Sequence, residues 1–136
     1  MIQLKKLDSC GNIDTLRGKE RIEISAGIVL ASKDNALVRK HADIILSKQT
    51  FEGYWQEYSY AKEDPAVGYY GAVPTSFCII ALVKAYRTLN QDKYYHSALK
   101  ASDYLLDQEH EGYFFKAGGN KSDVINTNLL AGAALH

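Results

Sequence analysis

The strongest constraint on this chain is a short pattern spelled twice, Gln-x-x-x-Gly-x-aromatic, first from Gln49 to Trp55 and again from Gln108 to Phe114. Each copy closes a stretch with helical periodicity. Superposing Gln49 on Gln108 pairs Ala42 with Ala101, Leu46 with Leu105, Gly53 with Gly112 and Trp55 with Phe114. Aligning the helices that follow pairs Thr75 with Thr127 and Phe77 with Leu129. The repeating unit is therefore a helical hairpin of about 50–60 residues, the kind of self-similarity that marks repeat architectures.

Periodicity supplies the helices. Over Arg21 to Ala31, the residues Ile24, Ile28 and Ala31 share one face, with Gly27 weakening the pattern. From Asp34 or Asn35, either of which can cap, Leu37, Val38, His41, Ile44, Ile45 and Lys48 follow a helical rhythm to about Gln49. Pro74 stands where a helix start tolerates proline, and the apolar run Phe77 to Val83 predicts a buried helix. Asp92 is expected to cap a fourth helix carrying Tyr95, Ala98, Ser102, Leu105 and Leu106 on one side. A fifth follows Ser122 or Asp123. His41 sits on an apolar face and reads as a hydrogen-bonded core residue.

Each member of the repeated pattern has a structural task. A glutamine just past a helix can donate to the open carbonyls of that helix end. Gly53 and Gly112 permit a positive φ where the chain reverses. Trp55 and Phe114 then fold back as apolar plugs between adjacent hairpins.

With this pattern on an amphipathic helix, Gln49-x-x-x-Gly53-x-Trp55 resembles the QW motif of the terpenoid cyclase and protein prenyltransferase superfamily; the second copy departs by carrying Phe114. Similar turns occur in six-hairpin glycosidases, sugar epimerases and polysaccharide lyases. The resemblance covers residues 20–136 and implies an all-α fold, a partial α/α toroid of about five helices in repeated helical hairpins. Residues 1–20 then form an N-terminal extension and residues 21–136 part of a larger ring. Closed toroids use more hairpins than this chain supplies, so the expectation is either a longer parent protein or self-association through the open toroid edge.

Extra loop length is where function tends to reside. Residues 56–72 outrun the counterpart after Phe114 and are rich in aromatic and acidic side chains. Glu57, flanked by aromatics, and Tyr58 are the candidate catalytic groups for acid–base chemistry on a glycosidic bond. Trp55, Tyr60, Asp64, Tyr69 and Tyr70 are the candidate substrate-binding residues, because an aromatic face suits the C–H face of a pyranose. For each, the competing reading is a packing aromatic or a solvated loop carboxylate.

Other chemistries find less support. Lys plus Arg and Asp plus Glu balance at 16 each, so no global charge draws the chain to nucleic acid. The two cysteines, Cys10 and Cys78, lie far apart, and the four histidines form no HxxxH or HExxH pattern. No metal or cofactor is expected. The sequence Gly118-Gly119-Asn120-Lys121-Ser122 echoes a phosphate loop without its first glycine or preceding strand. The DxDD and DDxxD patterns of isoprenoid chemistry are absent. No apolar run approaches the roughly 18 residues of a membrane span, and the polar N-terminus does not resemble a secretory signal, so a cytoplasmic location is expected. The functional expectation is a carbohydrate-active toroid domain with an oligosaccharide ligand. The alternatives are an isoprenoid-processing toroid or a non-catalytic scaffold.

Overall fold

The computed structural model of the chain describes residues 21–56, 70–114 and 125–136. The N-terminal extension, most of the long loop and the predicted cap at Ser122 or Asp123 lie outside them. The described residues are predominantly helical: α1 (Ile22–Ala31), α2 (Asn35–Lys48), α3 (Ala72–Leu89), α4 (Asp92–Asp107) and α5 (Ile125–Leu135), with a small antiparallel pair, β1 (Glu109–His110) and β2 (Tyr113–Phe114).

Local chemistry explains the start of α2 and the end of α3. Asp34 caps α2 by accepting from the N–H groups of Ala36 at 2.8 Å and Leu37 at 3.5 Å. Asn90 ends α3 in the left-handed conformation, φ 50°, its N–H donating to the Tyr86 carbonyl. Asp92 differs from expectation. It is the first residue of α4 rather than its cap, with Gln91 at the cap position. There its carboxylate still complements the positive end of the helix dipole.

Helix α3 is the centre of the packing and touches each of the other four helices. Its buried residues, from Ser76 on one side through Thr75, Cys78, Ile79, Leu82 and Ala85 to Ala81 on the other, cover rather more than half of its circumference at ~100° per residue. Among the described residues it is the one helix long and apolar enough to cross a membrane, yet half of it is buried within this fold. Contact with four neighbours accounts for that composition, which is that of a core helix.

Helices α1 and α3 run in the same direction. The Glu23 carboxylate, in the first turn of α1, lies close enough to Cys78, in the first half of α3, to push its thiol upward in pKa, after the larger effect of burial. At the other end, the Lys84 ammonium donates to the carbonyls of Val29 (2.7 Å), Leu30 (2.7 Å) and Ser32 (2.8 Å). Helix α2 returns against α1, where His41 Nδ1 lies 3.2 Å from Ser25 Oγ, with both residues fully buried. Helix α4 returns against α3, and α5 packs on α3 again. Two hairpins and a fifth helix thus follow one another, with α1, α4 and α5 all packed against α3.

Two predicted faces are rotated in the structure. Helix α1 buries Ile22, Ser25, Ala26 and Val29, whereas Ala31 is exposed and Ile24 and Ile28 are only half-buried. Helix α4 buries Tyr94, Ser97, Ala98, Ala101 and Leu105, leaving Tyr95 and Leu106 exposed. In both cases small residues lie at the contact because close approach of two helix backbones needs them. Counting large apolar side chains points about one residue away from the true face.

Lys84 supplies a direct test of how α1 is anchored. Lys84→Met keeps the apolar stem and removes three charge-assisted hydrogen bonds, so it should lower stability by about 2 kcal/mol. Urea unfolding measures this, and a loss below about 0.5 kcal/mol would show that water serves these carbonyls equally well.

Candidate functional site

The first turn is built around Gln49, the residue that ends α2. Its amide does not cap its own helix, as the sequence suggests. It donates to the carbonyls of Gly53 (2.8 Å) and Ser97 (3.1 Å), while its oxygen accepts from Ser97 Oγ at 2.6 Å. The glutamine thus ties the turn to α4, in the next hairpin. Thr50 closes the loop, its hydroxyl and its N–H both donating to the Tyr54 carbonyl and its Oγ1 accepting from Tyr54 N–H.

Gly53 has φ 117° and is buried. A Cβ there would stand 2.9 Å from the Lys100 carbonyl oxygen, so both conformation and space demand glycine. Trp55 follows at 1% exposure. Its indole Nε1–H donates to the Ile45 carbonyl at 2.9 Å and its backbone N–H to Thr75 Oγ1 at 3.1 Å, so it plugs the space between α2 and α3.

The second turn keeps part of this plan. Glu111 (φ 50°) and Gly112 (φ 85°) form the two-residue reversal between β1 and β2, with Gly112 N–H donating to the Glu109 carboxylate. Phe114 N–H donates to Asn128 Oδ1 at 2.6 Å, as Trp55 N–H does to Thr75. In both copies the backbone of the motif aromatic is held by a side chain of the following helix. That partner is Asn128, one residue beyond the Thr127 paired with Thr75 by sequence. Thr127 Oγ1 is buried with no hydrogen-bond partner. Phe114 is only partly buried, and nothing lies within 4 Å of where a Gly112 Cβ would be.

Beside the first turn, three tyrosines from different elements converge. Tyr54 and Tyr104 rings lie 4.8 Å apart, Tyr70 and Tyr104 5.4 Å, and Tyr54 meets Tyr70 edge-on at 5.9 Å. Tyr70 is paired with Gln56 in an isolated bridge, so the cluster sits where the long loop leaves and rejoins the fold. Tyr70 is 5% exposed and its hydroxyl has no hydrogen-bond partner among the described residues. Burial, assisted by Tyr104, pushes its pKa far above the ordinary value. Tyr104, half-buried, is also raised, by burial first and then by Tyr54 and Glu52.

Of the sequence candidates, the structure describes Trp55 and Tyr70. Glu57, Tyr58, Tyr60, Asp64 and Tyr69 lie outside the described residues. Trp55 presents no ring face to solvent; its position is that of the structural plug. Tyr70 belongs to the cluster, and its companions Tyr54 and Tyr104 were not singled out by sequence. Tyr54 could have been found as the residue inside the repeated turn, whereas nothing local marks Tyr104. Among the described residues, no group of three or more His, Cys, Asp or Glu side chains is arranged to hold a metal ion. Comparison with protein families, curated proteins and solved structures gives no significant match.

Two expected outcomes follow from these environments. Gly53→Ala should destabilise by more than about 3 kcal/mol, since backbone strain and close contact with Lys100 add. Gly112→Ala, strained but in open space, should cost about 1 kcal/mol; equal losses in thermal melts would mean that the contact with α4 is unimportant. For Tyr70, the unfolded chain ionises near the ordinary value of 10.0 while the folded phenol stays protonated. Its contribution is therefore unchanged below that pH and is lost as pH rises above it. Tyr70→Phe should be no less stable than wild type at neutral pH, and its advantage should grow in alkaline unfolding experiments. A destabilised Tyr70→Phe would show that the hydroxyl is hydrogen-bonded in solution.

Proposed function

We propose that this chain is a carbohydrate-active helical-hairpin domain of the α/α-toroid kind, with its ligand face at the tyrosine cluster and the long loop that springs from it. The observation that carries this reading is the grouping of Tyr54, Tyr70 and Tyr104. Tyr54 and Tyr104 are half-buried rings able to offer apolar area to a pyranose face. Tyr70 is buried beside them, and its hydroxyl has no hydrogen-bond partner among the described residues, so a small opening of the adjacent loop would present a donor to a sugar hydroxyl.

The adjacent loop adds the candidate acids Glu57 and Asp64 and the further aromatics Tyr58, Tyr60 and Tyr69. In this reading Glu57 and Tyr58 are the acid–base candidates, and Asp64 bonds sugar hydroxyls. The succession of hairpins about α3, with α1 and α3 running together, supports the toroid part of the proposal. Trp55 is left to its packing role.

The test is a nuclear magnetic resonance titration with neutral oligosaccharides. Binding in the millimolar range, about −4 kcal/mol, is expected from a site that encloses little of its ligand. Shifts should centre on Tyr54, Tyr70, Tyr104 and residues 57–69. Tyr104→Ala should weaken binding by about 1 kcal/mol through lost stacking, and Glu57→Gln should weaken it too. Absence of any shift with a panel of oligosaccharides, or shifts unchanged by Tyr104→Ala, would remove the carbohydrate assignment.

A further inference from the structure

Helix α4 carries a partly exposed apolar stripe beside its core contacts, with the Tyr95 ring 5.4 Å from that of Tyr86 on α3. Tyr95, Leu99 and Leu106 are 46%, 47% and 54% exposed. At ~100° per residue they fall within about 40° of one another around the helix, with half-buried Ser102 on the same line. An exposed stripe of this length on one helix has the form of a packing surface.

The charges beside the stripe indicate what fits there. Along one flank run His96, Lys100, Asp103 and Asp107, with the lysine and histidine toward the N-terminal half and the acids toward the C-terminal half. A second α4 laid antiparallel reverses that order. With Tyr95 opposite the partner's Leu106, Leu99 falls opposite the partner's Ser102, a large side chain against a small one. The same register brings Lys100 near the partner's Asp103, and His96 near the partner's Asp107. A two-fold axis perpendicular to both helices places identical flanks together, so each of these pairs forms twice.

We propose that the α4 stripe is the contact of an isologous dimer in which two copies of this chain pack antiparallel through Tyr95, Leu99, Ser102 and Leu106. This contact is independent of the carbohydrate reading. It also separates α4 from α2, where the positions matching Leu99, Ser102 and Leu106 are Lys40, Asp43 and Ser47. There Asp43 accepts from the Lys93 ammonium at 2.6 Å and the Tyr94 hydroxyl at 2.9 Å, so the matching part of α2 is engaged by the second hairpin. On α4 the corresponding positions are more apolar, and Leu99 and Leu106 are exposed. Lys100 now lies over the exposed ring of Phe51, 5.0 Å from its centre, and turns from it to reach the partner's Asp103.

Sedimentation velocity on the full chain over a concentration series tests this. Wild type is expected to dimerise. Leu99→Asp and, independently, Leu106→Lys should leave monomers with unchanged thermal melts at low concentration. Lys100→Glu and Asp103→Lys should each raise the dimer dissociation constant about tenfold, because two attractive pairs become repulsive. The double swap Lys100→Glu/Asp103→Lys should restore wild-type association, an effect that a general loss of solubility or folding would not produce. A monomeric wild type at about 100 μM, within the micromolar range of ordinary specific association, would overturn the proposal. So would a dimer that survives both Leu99→Asp and Leu106→Lys, as when α5 or α1 forms the contact, or a double swap that fails to restore association.

Discussion

Burial of Trp55 with both of its N–H groups satisfied holds the rest of the molecule in register. The indole reaches back to Ile45 on α2, and the backbone reaches forward to Thr75 on α3. One residue therefore fixes the end of the first hairpin against the start of the second. Such a plug is possible because Gly53, two residues earlier, takes a backbone conformation that brings the chain against the Lys100 carbonyl. Gln49 then joins the same turn to Ser97. Replacing Trp55 or Thr75 leaves a buried polar group without its partner, a larger loss than removal of a solvent-exposed bond.

The two copies of the turn show how one pattern serves different environments. The first lies beneath α4 and has become part of the core. The second ends in an exposed two-residue reversal, Glu111-Gly112, and its aromatic is only partly covered. Both retain a glycine with positive φ and a backbone N–H held by the following helix. What differs is the neighbour, since conformational demands are local whereas burial depends on what packs alongside. The tyrosine cluster stands beside the first copy because Tyr70 and Tyr104 reach it from the approach to α3 and from α4.

Helix α4 illustrates a limit of periodicity. Tyr94 stands next to Tyr95 and Leu105 next to Leu106, so large residues alone permit two faces about 100° apart. The structure buries Tyr94 and Leu105 because Ser97, Ala98 and Ala101 complete that face and let α4 approach α3 closely. Tyr95, Leu99 and Leu106 are left as the outward stripe. Misplacing the face by one residue hides which large side chains are left exposed.

The sequence by itself determined what depends on short-range chemistry. The helical hairpins follow from periodicity, the cap of α2 from Asp34 or Asn35, the reversals from Gly53 and Gly112, and the buried His41 from its place on an apolar face. Only the tertiary structure decided which partner Gln49 holds, that Lys84 in an apolar helix turns to the end of α1, and that Tyr104 joins Tyr54 and Tyr70. These contacts join residues on different helices, and no local preference encodes them. A lysine or tyrosine has the same conformational tendencies wherever it stands in a helix; its partner is set by how the helices are stacked, and that stacking follows from the small residues between them and the one tryptophan at their ends.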